Sequence, residues 1–362
     1  MKKITLIAGA RPNFMKIAPI IHAIHKEQLN GVEIEYRLIH TGQHYDHKMS
    51  GDFFEQLAIP TPHANLESGG GSQAEQTANI MVRFERELIE NPTDLVLVVG
   101  DVTSTMACAI TAQKLKIKVV HVEAGIRSGD WTMPEEINRL VTDSITNYFF
   151  TTSKVANSNL ISNGVRRDFI FFVGNTMIDT LLKQRPFFKK PIIWDELQLS
   201  DKNFFILTLH RPANVDDEHK LKVLLKEIIL HSKDLPIIFP AHPRTAKILD
   251  VLNFKHPRLH IIQPLGYLEF NFLVERAKGV ITDSGGITEE TTVMNVPCMT
   301  LRNNTERPET VTEGTNELIG TNPNSIAPAM EKLFSNNWKV GSIPELWDGK
   351  SAERIVNIIL SL

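Results

Sequence analysis

Residues 117–139 read IKVVHVEAGIRSGDWTMPEEINR, from Ile117 to Arg139. The apolar run 117–122 reads as a buried strand. A loop carrying Gly125, Ser128 and Gly129 follows, and Pro134, a residue favoured at the first helical position, opens a helix. A strand that passes through a polar loop into a helix is the building unit of an open α/β sheet, where ligands bind outside the carboxyl ends of the strands. Glu123, Glu135 and Glu136 crowd this loop together with Arg127 and Arg139. Glu123 stands where the strand points into the crevice. Buried carboxylates that face one another have raised pKa values and act as acid and base. Glu135 and Glu136 fit a second role as well, complementing the helix dipole.

The same alternation extends both ways from this stretch. Towards the N-terminus, strands are predicted at 4–8, 33–40 and 95–99, with helices at 13–28, 72–90 and 104–115. Towards the C-terminus come a strand at 147–151, a helix at 153–163 and a strand at 169–173. Around 185–203 the periodicity breaks at Pro186 and Pro191, which reads as a link between domains. A second series then places strands at 204–208, 236–239, 259–262, 279–282 and 297–301. The expected fold class is α/β, with two Rossmann-like, doubly wound parallel-sheet domains. Their strands end in polar loops, so the two sheets are expected to face one another across a cleft. The expected boundaries are 1–172 and 173–350, with a short amphipathic helix at 351–362.

The totals agree with two domains: 362 residues, 42% of them hydrophobic, supply two ordinary cores. A net charge of −3 argues against nucleic acid and anionic membranes as partners. The two cysteines, Cys108 and Cys298, lie in apolar surroundings and read as core residues in a reducing compartment. No pair among the thirteen histidines has zinc-like spacing with a matching partner, so no metal is expected. The start imitates a signal peptide, but its apolar core is short and Arg11 follows at once. No run reaches transmembrane length. The expected location is cytoplasmic.

In the second half the loop Asp283-Ser284-Gly285-Gly286-Ile287-Thr288-Glu289-Glu290 follows a strand and opens a helix. Its glycines let backbone N–H groups approach a ligand, and a helix N-terminus favours an anion. Glu290, one turn in, is placed to accept hydrogen bonds from a ribose diol. A plain helix cap fits the same residues. Arg307, in Thr305-Glu306-Arg307-Pro308, would pair with a diphosphate or with Glu290. Arg11 and Lys16 flank the first strand-to-helix turn. His210 and His242 each follow a strand.

Eight motifs occur in order: Gly9-Ala10-Arg11-Pro12, Gly100-Asp101, His121-Val122-Glu123-Ala124-Gly125, Pro134-Glu135-Glu136-Ile137-Asn138-Arg139, Gly174-Asn175-Thr176, Thr208-Leu209-His210-Arg211, Asp283-Ser284-Gly285-Gly286 and Thr305-Glu306-Arg307-Pro308. The ordered set resembles the non-hydrolysing UDP-N-acetylglucosamine 2-epimerases. The resemblance implies a glycosyltransferase-B-like fold, usually a homodimer, with the last helix packing back on the first domain. It implies an isomerase that interconverts UDP-GlcNAc and UDP-ManNAc for cell-surface polysaccharides, with no metal and no nicotinamide cofactor. The route it implies is elimination and re-addition of UDP through 2-acetamidoglucal.

By motif, the resemblance makes Asp101, Glu123 and Glu135 the catalytic carboxylates and His210 the catalytic histidine. It assigns Arg11, His242, Ser284 and Gly285 to the phosphates, beside Gly286 of the same loop. It gives Glu290 to the ribose and Phe270 to the uracil, and it places Arg307 and Lys16 at the substrate. Many members bind a second UDP-GlcNAc as an activator through two glutamines. Here Gln43 is present, and the second position is Asp46. A related branch acts on a diacetamido-uronic acid sugar and tends to replace Arg307-Pro308, which this chain keeps. A glycosyltransferase of the same architecture and a non-catalytic nucleotide-sugar sensor are the competing functions. Three acidic groups suit proton chemistry better than either.

Overall fold

Seven short strands, most of them aliphatic or aromatic, form one parallel sheet in the computed structural model, which describes residues 1–42, 57–241 and 243–362, with backbone alone at Arg11, Pro243 and Arg244. The strands are β1 (Lys2–Ala8), β2 (Ile34–His40), β3 (Ala64–Asn65), β4 (Leu95–Val99), β5 (Lys118–Val122), β6 (Tyr148–Thr151) and β7 (Ile170–Phe172). Their order is β3-β2-β1-β4-β5-β6-β7. Helices cover the sheet, so a central strand such as β4, Leu-Val-Leu-Val-Val, is buried along its whole length. A second sheet holds β8 (Phe205–Thr208), β9 (Ile237–Pro240), β10 (Leu259–Ile262), β11 (Gly279–Thr282), β12 (Cys298–Thr300) and β13 (Asn316–Leu318). Its order is β10-β9-β8-β11-β12-β13. Every pairing in both sheets is parallel. The α/β class with two doubly wound parallel sheets is therefore the fold.

The chain divides into two compact units, Met1–Thr180 with Glu345–Leu362, and Leu181–Pro344. The stretch 185–203, read from sequence as a link, is folded into the second unit. It forms the turn Arg185–Phe187 and the helix Ile192–Glu196. Trp194 of that helix packs edge-on against Phe204 and Phe272, with ring centroids 5.8 and 5.3 Å away. The edge strands β3 and β13, two and three residues long, are absent from the sequence reading. The helix Ser351–Ser361 belongs to the first unit. Asp179 receives the backbone N–H groups of Ser351 and Ala352 at its start, at 3.1 and 2.7 Å.

Each sheet reverses its strand order once, between β1 and β4 and between β8 and β11. At such a switch point the two loops leave in opposite directions and open a crevice at the strand ends. Gly9-Ala10 and Gly100-Asp101 lie at the first, and Leu209-His210 and Asp283-Ser284 at the second. Cys108, in the helix Thr103–Lys114, and Cys298, in β12, are both fully buried free thiols. Among the described residues, no helix is long and apolar enough to cross a membrane.

Candidate active site

In the first unit the loop after β4 begins with Gly100 at φ +67° and continues into Asp101. The loop after β5 begins with Glu123, which holds φ +69° despite its side chain. A non-glycine residue in the left-handed region costs free energy, and such residues cluster at functional sites. Lys16, from the helix Arg11–Leu29, reaches Glu123 with Nζ 2.6 Å from Oε2, and both side chains are buried. A Cβ on Gly100 would sit 3.1 Å from Lys16 Nζ, so the glycine leaves room for the ammonium group. Asn13 fixes the preceding turn, accepting from the N–H groups of Gly9 and Ala10 and donating to the Val99 carbonyl.

Asp101 is held from the helix Pro134–Ile145. Arg139 donates to its Oδ2 from Nε at 3.0 Å and Nη2 at 2.7 Å, and Asn138 donates to its backbone carbonyl at 2.8 Å. The other edge of Arg139 meets Glu136 at 2.6 Å. Burial works to raise the Glu136 carboxyl, but the N–H of Ser128, the Arg139 guanidinium and the N–H of Gly129 outweigh it and hold it below the usual range. Glu136 thus ties the 128–129 loop to Arg139. Glu135 is half-buried beside it, and its side chain has no hydrogen bond or ion pair among the described residues. The sequence reading has carboxylates facing one another. The contacts found are carboxylate to cation: Glu123 to Lys16, and Asp101 and Glu136 to Arg139.

Behind these loops His121 is fully buried. Its Nδ1 lies 2.7 Å from Asp143 Oδ1 and its Nε2 2.8 Å from the Gly100 carbonyl. Asp143 Oδ2 receives the N–H of Gly125 at 3.0 Å and Arg127 at 2.6 Å. Burial would raise the Asp143 carboxyl, yet His121 and Arg127 hold it below its ordinary value.

In the second unit His210 follows β8 and Asp283 follows β11. Their side chains meet with Nδ1 2.7 Å from Oδ1; the imidazole is 52% exposed and the carboxylate fully buried. Asp283 also accepts from the backbone N–H groups of His210 and Arg211 and from Asn214. Burial pushes its carboxyl up, and the hydrogen bonds, that of His210 foremost, bring it below the usual range. Ser284 caps the helix Gly285–Val293 without a side-chain hydrogen bond to it, and Gly285 and Gly286 are half-buried. Nothing lies within 4 Å of where a Gly286 Cβ would be, so that face of the helix N-terminus is open.

Glu290 points from this helix to the helix Tyr267–Arg276. Its Oε1 accepts from the Tyr267 hydroxyl at 2.9 Å and from Asn271 at 3.5 Å. Burial pushes the Glu290 carboxyl up to about 7, against those two hydrogen bonds. Phe270, on the same helix, is half-buried. Arg307 pairs with Glu289 through Nε, not with Glu290 as the sequence reading allowed. The neighbouring spacing explains the exchange: Glu289 and Glu290 project from one helix in directions about 100° apart. Glu309 is buried as well, which pushes its carboxyl up to about 7. His242, Gln43 and Asp46 lie outside the described residues, and of Arg11 only the backbone is described.

The model of the UDP-N-acetylglucosamine 2-epimerase family matches residues 26–360. The chain belongs to this family. Among its epimerase relatives is the UDP-N-acetylglucosamine 2-epimerase of Methanocaldococcus jannaschii, 42% identical over 99% of this chain and 98% of that one. The UDP-2,3-diacetamido-2,3-dideoxy-D-glucuronate 2-epimerase of Pseudomonas aeruginosa is 38% identical over 88% of each. The crystal structure of the M. jannaschii UDP-GlcNAc 2-epimerase in complex with UDP-GlcNAc and UDP superimposes with a TM-score of 0.88 at 41% identity, covering 99% of this chain and 100% of that one. Epimerases are isomerases, and two doubly wound sheets are the make-up of the glycosyltransferase-B-like fold. Sequence reasoning within this epimerase chain gave no role to Arg139, His121, Asp143, Tyr267 or Asn271. The three-residue step Glu136–Arg139 and the four-residue step Tyr267–Asn271 each put two polar groups on one helix face, a signal that could have marked three of them.

Proposed function

We propose that this epimerase-family chain interconverts UDP-GlcNAc and UDP-ManNAc. The observation that carries the reading is the pair Asp101 and Glu123, held at adjacent strand ends by Arg139 and Lys16. The hydrogen on the inverted carbon is barely acidic, because removing it alone leaves a carbanion with no electron sink. If UDP departs from the neighbouring anomeric carbon as the proton leaves, the C–H electrons form a ring double bond. Re-addition of UDP with a proton delivered from the opposite face completes the inversion. The sequence is redox-neutral and needs no external oxidant or reductant.

In this reading Asp101, Glu123 and Glu135 move protons, and His210 orients or protonates the departing phosphate. Arg11, Lys16, His242, Ser284, Gly285, Gly286 and Arg307 bind the substrate, Glu290 takes the ribose diol and Phe270 lies at the uracil. The retained Arg307-Pro308 pair favours the plain GlcNAc substrate over the diacetamido-uronic acid sugar. A homodimer in the cytoplasm belongs to the same reading. Val82 and Ile89, one heptad apart on the helix Gln73–Glu90, are exposed, and both buried thiols suit a reducing compartment.

The test is incubation with UDP-GlcNAc alone in deuterated water. The expected product is UDP-ManNAc carrying one deuterium at the inverted carbon. General acid–base groups contribute roughly 10²–10⁴-fold, so Asp101→Asn and Glu123→Gln should each lose activity on that scale while UDP still binds. Hydrolysis products, an unchanged sugar, or an epimer that keeps its original hydrogen would overturn the reading.

A further inference from the structure

We propose that His121 and Asp143 are positioning residues, a buried clamp that sets the two left-handed turns from which Asp101 and Glu123 project. The proposal rests on the role given to those carboxylates under the proposed function. The geometry is local to the first unit and involves neither carboxylate directly. His121 Nε2 meets the carbonyl of Gly100, the residue at φ +67° immediately before Asp101. His121 itself stands two residues before Glu123. Asp143 receives its Nδ1 on one oxygen and the N–H of Gly125, two residues after Glu123, on the other. One carboxylate therefore brackets Glu123 at φ +69° from both sides, and Gly125, at φ +78°, completes the turn. Gly100 N–H returns to the Val122 carbonyl at 3.0 Å, so the two turns are stitched to each other as well as to the clamp.

The chemistry of the partners fixes the ring. Asp143 is also paired with Arg127 and takes the N–H of Gly125, so it stands as an ionised acceptor. The Gly100 carbonyl also accepts only. The imidazole must then donate from both nitrogens. Charge-assisted hydrogen bonds of this kind are about twice as strong as neutral ones and fix direction closely. A left-handed glutamate is strained and persists only where its surroundings over-determine it. The clamp supplies that determination through the backbone, while the carboxylates of Asp101 and Glu123 pair with Arg139 and Lys16.

Two variants and one spectrum test the clamp. Asp143→Asn replaces an accepting oxygen with a donor, and His121→Gln keeps one donor of the ring's two. Misplacing a reacting group by about 1 Å costs up to about 10²-fold, so kcat should fall on that scale while KM and UDP affinity stay unchanged. Val120→Ala, a fully buried position of the same strand, controls for lost stability and should leave kcat intact. Nitrogen-15 spectra of histidine-labelled protein, with the His121 ring assigned in the wild type by correlation to its own backbone amide, should show both ring nitrogens protonated. A wild-type ring with one bare nitrogen overturns the clamp, as does unchanged kcat in both variants or a loss carried by KM. Should a variant fail to fold, the wild-type spectrum still decides. A wild-type protein inactive on UDP-GlcNAc overturns the proposed function instead, and leaves the ring signals to report on the clamp.

Discussion

Glu290 carries the most informative titration among the residues proposed to bind the nucleotide. Its carboxyl is raised from 4.5 to about 7 by burial. The folded state therefore keeps a proton that the unfolded chain has released. Stability from that proton is complete below 4.5 and is lost as pH rises through about 7. A ribose diol donates, so it binds the ionised carboxylate. UDP affinity should therefore strengthen through about pH 7 and level off above it, by up to tenfold per pH unit on the acid side. Calorimetric titration from about pH 5.5 to 8.5 checks this, and Glu290→Gln should flatten the Glu290 contribution, leaving only the titration of UDP itself. The strand-end position of the candidate residues was legible in the sequence, because carboxylates and glycines after apolar runs mark such loops. Their partners were not. Lys16 and Glu123 are 107 residues apart, and only the folded sheet brings β1 and β5 to opposite sides of β4.

At the scale of the element, the strands were legible wherever a continuous apolar run had room to declare itself, as in β1, β4 and β5. The strands that escaped, β3 and β13, are two and three residues long at the sheet edges. They are formed by pairing to a neighbour rather than by any pattern of their own. The segment 185–203 misled for the opposite reason. Its prolines and scattered aromatics look irregular in one dimension, while Trp194 finds Phe204 and Phe272 only in three. Where an element boundary is set by close approach, a single methyl group should register. Gly125 has φ +78°, and a Cβ there would fall 2.4 Å from the Ala156 carbonyl of the helix Lys154–Ser162. The left-handed conformation costs about 1–2 kcal/mol per residue, and overpacking about 1–3 kcal/mol. Gly125→Ala should therefore lower stability by roughly 2 kcal/mol or more, read as a fall in the urea midpoint. Gly31→Ala is the contrast. It shares the left-handed φ but meets nothing within 4 Å, so it should cost only the smaller backbone part.

For the whole molecule, the notable feature is that the first unit is closed by the far end of the chain. Residues 345–362 return to it, Asp179 caps the returning helix, and Lys2 Nζ reaches the Ile359 carbonyl at 2.7 Å. Ala352, Ile355, Val356 and Ile359 are buried there. Removing 345–362 should loosen the first unit and leave the second, which has its own apolar core, as it was. The cysteines make this difference measurable. Cys108 belongs to the first unit and Cys298 to the second. Burial pushes the Cys108 thiol well above its ordinary range and Cys298 up to about 12. A thiolate is the species that alkylating reagents attack, so each sulfur stays silent until its own surroundings open. Peptide mass spectrometry after timed alkylation should find Cys108 modified much faster in the truncated chain, with Cys298 still slow. The intact polypeptide thus carries two independent chemical stopwatches, one sulfur for each unit, and the order in which they start reports which half gives way first.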